Sequence, residues 1–457
     1  MPDNRQNALD YLHTNQDRYL EELKEYCAIA SISTGSESTA GIQQAAEWTA
    51  EKLKAIGCTN VQIIPSKGHP FVYGEITSAG PDAPTLLFYG HYDVQPADPL
   101  ELWETGPFEP TVRGENLFGR GASDMKGQNA ACINAVEATI QAEGLAVNVK
   151  FLIEGEEEVG SPNMQAFLEA NKDMLACDVS INPDSGMLGK DVPTINYALR
   201  GLSYFEIRVQ GPAIDLHSGM FGGTVLNPAN ELARLIGGMH DENGRITLPG
   251  FYDSVREMDA EERAELARLP RTDADFLQQS GSPVLWGEAG FTSIERVGGR
   301  PTLDVNGFLS GFVEPGQKTV LPAKAMAKIS TRLVPDQDPD EVYKQMVQYM
   351  EANARPGITW EVEYMSGSPA SISARDSKYA RALAAGLGTV WGKRPVFYRV
   401  GGSVPVVGDM QQALGVDSVL TGFGLPDDAI HSPNEKMHLP TWRKGTEALV
   451  HMLFNLA

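Results

Sequence analysis

Residues 85–93 read TLLFYGHYD. The first six, Thr85–Gly90, run apolar without alternation, which predicts a strand covered on both faces, as at the centre of an α/β sheet. His91 and Asp93 follow where that strand ends. A second apolar run lies at Val147–Ile153 and a shorter one at Asp178–Ile181. Between them, Ile133, Val136 and Ile140 share one face of a predicted helix over Lys126–Ala142. Strand, helix and strand at this spacing imply a largely parallel sheet with crossover helices.

Further out, Leu9, Leu12, Tyr19, Leu23 and Tyr26 recur at helical spacing. Ile42, Ala45, Thr49, Leu53 and Ile56 form a second stripe, with Gly57 placed as a C-cap. Val61–Ile64 and Phe71–Ile76 read as short strands. Near residue 202 the character changes. Tyr204–Val209 alternates, which suits a sheet with one wet face. Asn227-Pro228 predicts an N-cap and a first-turn proline, for a helix ending at Gly237-Gly238. Residues 253–281 predict an exposed charged helix and loop. Ala325–Val334 (strand), Asp340–Asn353 (helix) and Thr359–Tyr364 (strand) complete an α+β set with an antiparallel sheet. Gly367-Ser368-Pro369 reads as a linker, followed by a helix over Asp376–Val390 and a glycine-rich stretch. The expected architecture is therefore an α/β domain with a central mostly parallel sheet, formed by residues 1–201 and 371–457, interrupted by an inserted α+β domain at 202–370.

The chain is acidic: 37 basic and 60 acidic residues give a net charge of 37 − 60 = −23, which argues against nucleic acid or anionic lipid as a partner. No stretch approaches the ~18 continuous apolar residues of a membrane span. The opening residues lack the basic-then-apolar order of a secretory signal. Four cysteines, Cys27, Cys58, Cys132 and Cys177, are too dilute for a disulfide scaffold. A cytoplasmic location is the expectation.

Chemistry in such a sheet belongs where loops leave the carboxyl ends of parallel strands. Five segments qualify: GHYD at 90–93, GRGASDMKG at 119–127, EGEEEVGS at 154–161, NPDS at 182–185 and HSPNE at 431–435. Each alone has an ordinary explanation. His91 or His431 can be structural, Asp124 can cap the helix after it, Glu156-Glu157-Glu158 can be a solvated patch, and Asp184 can be a turn residue. Together they gather carboxylates that would repel one another and raise one another's pKa unless dications intervene. Two histidines and three carboxylates suit two zinc-like ions sharing one bridging carboxylate.

These blocks resemble, residue by residue and over nearly the whole chain, the M20 family of metallopeptidases. YGHYDVQP at 89–96 is similar to its first metal motif and GRGASDMKG to its bridging-aspartate motif. GEEEVGS at 155–161, NPDSG at 182–186 and HSPNEK at 431–436 supply the remainder. DLHSGMFGG at 215–223 and STRLVP at 330–335 point to its carnosinase-like dipeptidases, similar to cytosolic non-specific dipeptidase. The resemblance implies a zinc-peptidase-like catalytic domain with an inserted lid and dimerisation domain. It assigns His91, Asp124 and Asp184 to one ion and Asp124, Glu158 and His431 to the other. Asp93 would orient His91 by a hydrogen bond, and the Asp124–Met125 peptide would be cis. The ions would be zinc, with manganese or cobalt as alternatives.

The implied reaction is hydrolysis of a dipeptide amide. A water shared by the two ions attacks, and Glu157 is its general base. Arg332, with the Gly402 and Ser403 turn, would bind the substrate carboxylate, and Asn306 and Thr319 would add lid contacts. His217 would stabilise the oxyanion in the other subunit's site, which requires a homodimer. Two features depart from the dipeptidase pattern: Val400 replaces an acidic residue, and Asp124-Met125 is similar to desuccinylase-type members. An N-acyl amino acid deacylase of the desuccinylase or acetylornithine deacetylase type is the alternative.

Overall fold

The computed structural model describes residues 4–35 and 39–456. The chain forms two compact units. The first comprises residues up to Tyr197, Ile372–Tyr398 and Asp409 onward, and the second Ala198–Ser371 with Arg399–Gly408. The sequence reading assigned all of 371–457 to the catalytic part. Residues 399–408 instead group with the second unit, where Arg399 pairs with Glu262 and Ser403 accepts a hydrogen bond from Arg332.

In the first unit the sheet runs in the order Thr59–Ile64, Phe71–Ile76, Asn148–Glu154, Thr85–His91, Val179–Asn182, Ser418–Leu420 and Thr194–Leu199. The four strands from Asn148–Glu154 to Ser418–Leu420 are parallel. Antiparallel strands flank them. Thr85–His91 lies within the parallel core, and from Leu86 onward every residue is buried. Phe88 stacks on Phe151 of the neighbouring strand at 5.4 Å between centroids, an aromatic pair worth about 1 kcal/mol beyond its area. The helix Lys126–Gln141 is the crossover between these two strands, and residues 126–139 are all buried. Trp442, on the C-terminal helix Leu439–Asn455, donates from its indole to the Gly127 carbonyl at 2.8 Å.

In the second unit four antiparallel strands lie in the order Thr302–Ser310, Lys324–Leu333, Gly201–Gln210 and Thr359–Ser368. Phe205, Ile207 and Val209 alternate inward onto Leu232, Leu235, Val342 and Met346 of the helices Pro228–Gly237 and Pro339–Asn353. This is the half-wet sheet that the alternation predicts. Asn227 caps its helix through a bond from the Ala229 N–H at 2.9 Å.

Three expectations need correction. The N-terminal stripe forms two helices, Asn4–Thr14 and Gln16–Cys27, rather than one. Gly367 and Ser368, read as linker, continue the strand Thr359–Ser368 because they pair with Ser203 and Leu202. The glycine-rich stretch holds the strand Val396–Val400 and the helices Pro405–Leu414 and Leu439–Asn455.

Candidate active site

Three adjacent parallel strands deliver the site. His91 ends Thr85–His91. Glu157 and Glu158 form the single 3-10 turn after Asn148–Glu154. Asp184 follows Val179–Asn182, with its N–H bonded to the Asn182 side chain at 2.8 Å. Asp124 stands just before the crossover helix, and its peptide bond to Met125 is cis. His431 comes from a late loop.

The side chains converge. Asp124 reaches both histidines: its Oδ1 lies 3.1 Å from His91 Nε2 and its Oδ2 lies 3.0 Å from His431 Nε2. His431 Nε2 is also 3.2 Å from Glu158 Oε2. Donor atoms of His91, Asp124 and Glu158 lie within 4.8 Å of one another, as do those of His91, Glu157 and Asp184. Separations of roughly 3 Å between donors suit neighbouring ligands about 2.0–2.2 Å from a common ion. One carboxylate between two imidazoles suits a bridge between two ions.

The surrounding bonds fix these groups. His91 has no exposed surface. Its Nδ1 faces the Asp93 main-chain carbonyl at 3.0 Å, which makes Nδ1 the protonated nitrogen and turns Nε2 toward Asp124. The Asp93 carboxylate, expected to serve His91, is 3.4 Å from Nδ1. It accepts instead from the N–H groups of Glu157 at 3.2 Å and Glu158 at 3.1 Å. One residue thus ties the His91 strand to the glutamate turn. Asn129 donates to the His91 carbonyl at 2.7 Å. Gly90 makes room for that bond, since a Cβ there would sit 1.9 Å from Asn129 Oδ1. Glu156 is buried and turned aside, accepting from Asn163 at 2.8 Å.

Crowding sets the electrostatics. Burial, then the Asp184 carboxylate, pushes Glu157 up to about 9. Burial, with Asp124 and Glu158 nearby, raises Asp184 to about 7. Burial also acts upward on Asp124, but hydrogen bonds with His431 and His91 outweigh it and hold Asp124 below the ordinary carboxyl range. Acids forced together at this cost are what a pair of dications relieves, so the mixed nitrogen and oxygen donor set fits two such ions.

A family model, Peptidase family M20/M25/M40, matches residues 87–455. The chain belongs to this family. The Beta-Ala-His dipeptidase of Homo sapiens is 31% identical, over 99% of this chain and 92% of its own. The Cys-Gly metallodipeptidase DUG1 of Candida albicans is 30% identical, over 97% and 96%. Among solved structures, the M20 family metallo-carboxypeptidase Sso-CP2 from Sulfolobus solfataricus superposes with a TM-score of 0.81 at 32% identity, covering 96% of this chain and 99% of that one. An M20 peptidase needs groups for its substrate beyond the ions, and those expected here lie in the second unit.

There Arg332 donates to Ser403 Oγ at 2.9 Å, and Gly402 accepts at its carbonyl from the Arg200 N–H at 3.1 Å. Arg332, Asn306, Arg200 and Arg296 line one cleft of about 490 Å³. Asn306 is the extra residue of a bulge between Val305 and Gly307 on an edge strand, a device that re-aims a side chain. His217 is exposed and pairs with Val320 in a two-stranded ribbon, and the Thr319 carbonyl accepts from the Ser218 N–H at 3.1 Å. Sequence reasoning missed Gln95, which donates to Glu158 Oε2 at 2.8 Å, as well as Asn129 and Glu435. Gln95 and Glu435 stand inside the quoted motifs, so their signal was present without a role attached.

Proposed function

We propose that this M20 peptidase is a dipeptidase that hydrolyses its substrate's amide bond with two divalent ions, zinc foremost and manganese or cobalt as alternatives. What supports the reading is that His91, Asp124 and Glu158 converge, that His91 also meets Glu157 and Asp184, and that His431 reaches Asp124 and Glu158. This cluster occurs in a chain that aligns over nearly its full length with dipeptidases at 31% and 30% identity. His91, Asp124 and Asp184 would hold one ion, and Asp124, Glu158 and His431 would hold the other. Ions held there would supply Lewis acidity toward the scissile carbonyl and toward an attacking water. Glu157 takes the proton of that water and hands it to the leaving amine. Asp93 keeps Glu157 and Glu158 in register with His91 through its three contacts.

Arg332, with Gly402 and Ser403, receives the free carboxylate of the substrate, a task suited to a guanidinium fork. Asn306 and Thr319 add contacts. The unit at 198–371 acts as lid and dimerisation surface, and its His217 completes the site of the partner subunit. His217→Ala is then expected to leave the dimer intact and to lower turnover. Mixing it with Glu157→Gln subunits should restore part of the activity, because one site of each hybrid is whole. No recovery on mixing would remove the shared site.

Four free thiols, three of them buried, suit a reducing compartment, and we place the protein in the cytoplasm. Side-by-side assays of dipeptides, tripeptides and N-acyl amino acids test the substrate class. Dipeptides should give the highest kcat/KM. Preferential cleavage of N-succinyl or N-acetyl amino acids would replace this reading with a deacylase. The loss of an acidic residue at Val400 predicts no special preference for cationic dipeptides.

A further inference from the structure

The loop that carries His431 is the least regular part of the metal cluster. The His431 side chain is 52% exposed, whereas His91 is sealed at the end of a central strand. Ala429, His431 and Asn434 all have left-handed backbone, with φ of 55°, 61° and 63°. Such conformations persist only where the surroundings impose them. No sheet ladder runs through 429–434, so other contacts must do so.

Two buried carboxylates flank His431 and both reach the loop that carries Asp124. Glu435 has no exposed surface and uses both oxygens twice. Oε2 accepts from Arg120 Nη1 at 2.7 Å and from the Gly121 N–H at 3.0 Å. Oε1 accepts from the N–H groups of Ser123 and Asp124, each at 3.0 Å. The Glu435 carbonyl accepts from the Gly119 N–H at 2.9 Å. The turn 119–124 is thus a nest of backbone donors closed on a carboxylate 311 residues away. Asp428, also without exposed surface, accepts from Ser123 Oγ at 2.9 Å and from the Leu425 N–H at 2.7 Å. Lys436 closes the base of the His431 loop by donating to Asp428 at 3.0 Å.

We propose that Glu435 is a positioning residue that locks the Asp124 turn and the His431 loop into one body, and so sets the affinity of the ion between Asp124, Glu158 and His431. The proposal rests on the two-ion reading above. Without the carboxylate, Arg120 is buried without its counter-charge and three backbone N–H groups lose their acceptor. Asp124 stays anchored by the buried helix that follows it, so the half-exposed His431 loop is the part that shifts away. His91 is held independently by Asp93 and Asn129, so the ion on its side stays.

The test is titration of the full-length, metal-stripped protein with cobalt(II), followed by visible absorption and by metal per subunit. Wild type should take up two ions. Glu435→Gln should keep one tight ion and bind the second roughly 10–100-fold more weakly, as loss of a group supporting a ligand does. Excess cobalt should restore its kcat with KM little changed. Should Glu435→Gln fail to fold, Glu435→Asp keeps the charge on a shorter arm and should weaken the same ion less. Variants that bind both ions as wild type does, or that lose both equally, would overturn the proposal. A wild type that takes up fewer than two ions would overturn the two-ion reading itself, and the proposal with it.

Discussion

Glu157→Gln should lower turnover about 10²–10⁴-fold while leaving two ions in place. The substitution keeps shape and hydrogen-bonding capacity but removes the ability to take a proton. Position supports a base: Glu157 starts the 3-10 turn after a parallel strand, its N–H is pinned by Asp93, and its carboxyl is pushed up to about 9 by burial and by Asp184. Dications bound beside it would lower that value by offsetting the charges of Asp184 and Asp124, which would bring an acceptor back toward the working pH. A competing role is visible in the same geometry, because Glu157 lies within ligand range of His91 and Asp184. The two roles separate in one experiment. A base leaves metal content unchanged and lowers kcat, whereas a ligand loses an ion. Steady-state kinetics beside metal analysis of the same sample decides. Turnover within about threefold of wild type would remove the general-base role.

How much of this was legible depended on the range of the interaction. Thr85–Gly90 announces a doubly covered strand because its neighbours leave no wet face, and the residues directly after it fall at the strand's carboxyl end by topology alone. Tyr204–Val209 announces the second sheet by its alternation. Helix Lys126–Gln141 was legible from one apolar face but not in its depth, since its polar residues Gln128, Asn129 and Asn134 are buried too. Asn129 is inside because it bonds the His91 carbonyl, a demand no periodicity reports. The exchange at Asp93, where the carbonyl rather than the carboxylate lies closer to His91, depends on how the turn 157–159 folds back onto it. Gly367 and Ser368 read as linker because their composition is that of a turn, yet a partner strand claims them. The grip of Glu435 on Asp124 joins positions 311 residues apart in the chain, and only the fold brings them together.

Asp124→Asn should cost both ions at once and bring turnover to background, a larger effect than loss of any other single ligand. Among the described residues, only Asp124 contacts both His91 and His431, one through each oxygen. Asp184→Asn, by contrast, should spare the ion on the His431 side. The same cluster predicts how metal supports the fold. In the chelated protein, burial raises Asp184 to about 7 and Glu157 to about 9, and hydrogen bonds to Asp124 and Glu158 raise His431 to about 10. A group whose folded pKa is raised contributes stability that is full below its unfolded value and is lost as pH climbs through the folded one. All three act in the same direction, and Asp124, held low, opposes them only in acid. The chelated protein should therefore lose thermal stability as pH rises from about 5 to 9. With ions bound, the carboxylates are ionised and the imidazoles neutral, so that loss has no source. The gap in Tm between loaded and chelated protein should widen with pH across that window. If it narrowed, the cluster would not be the place where the metal binds.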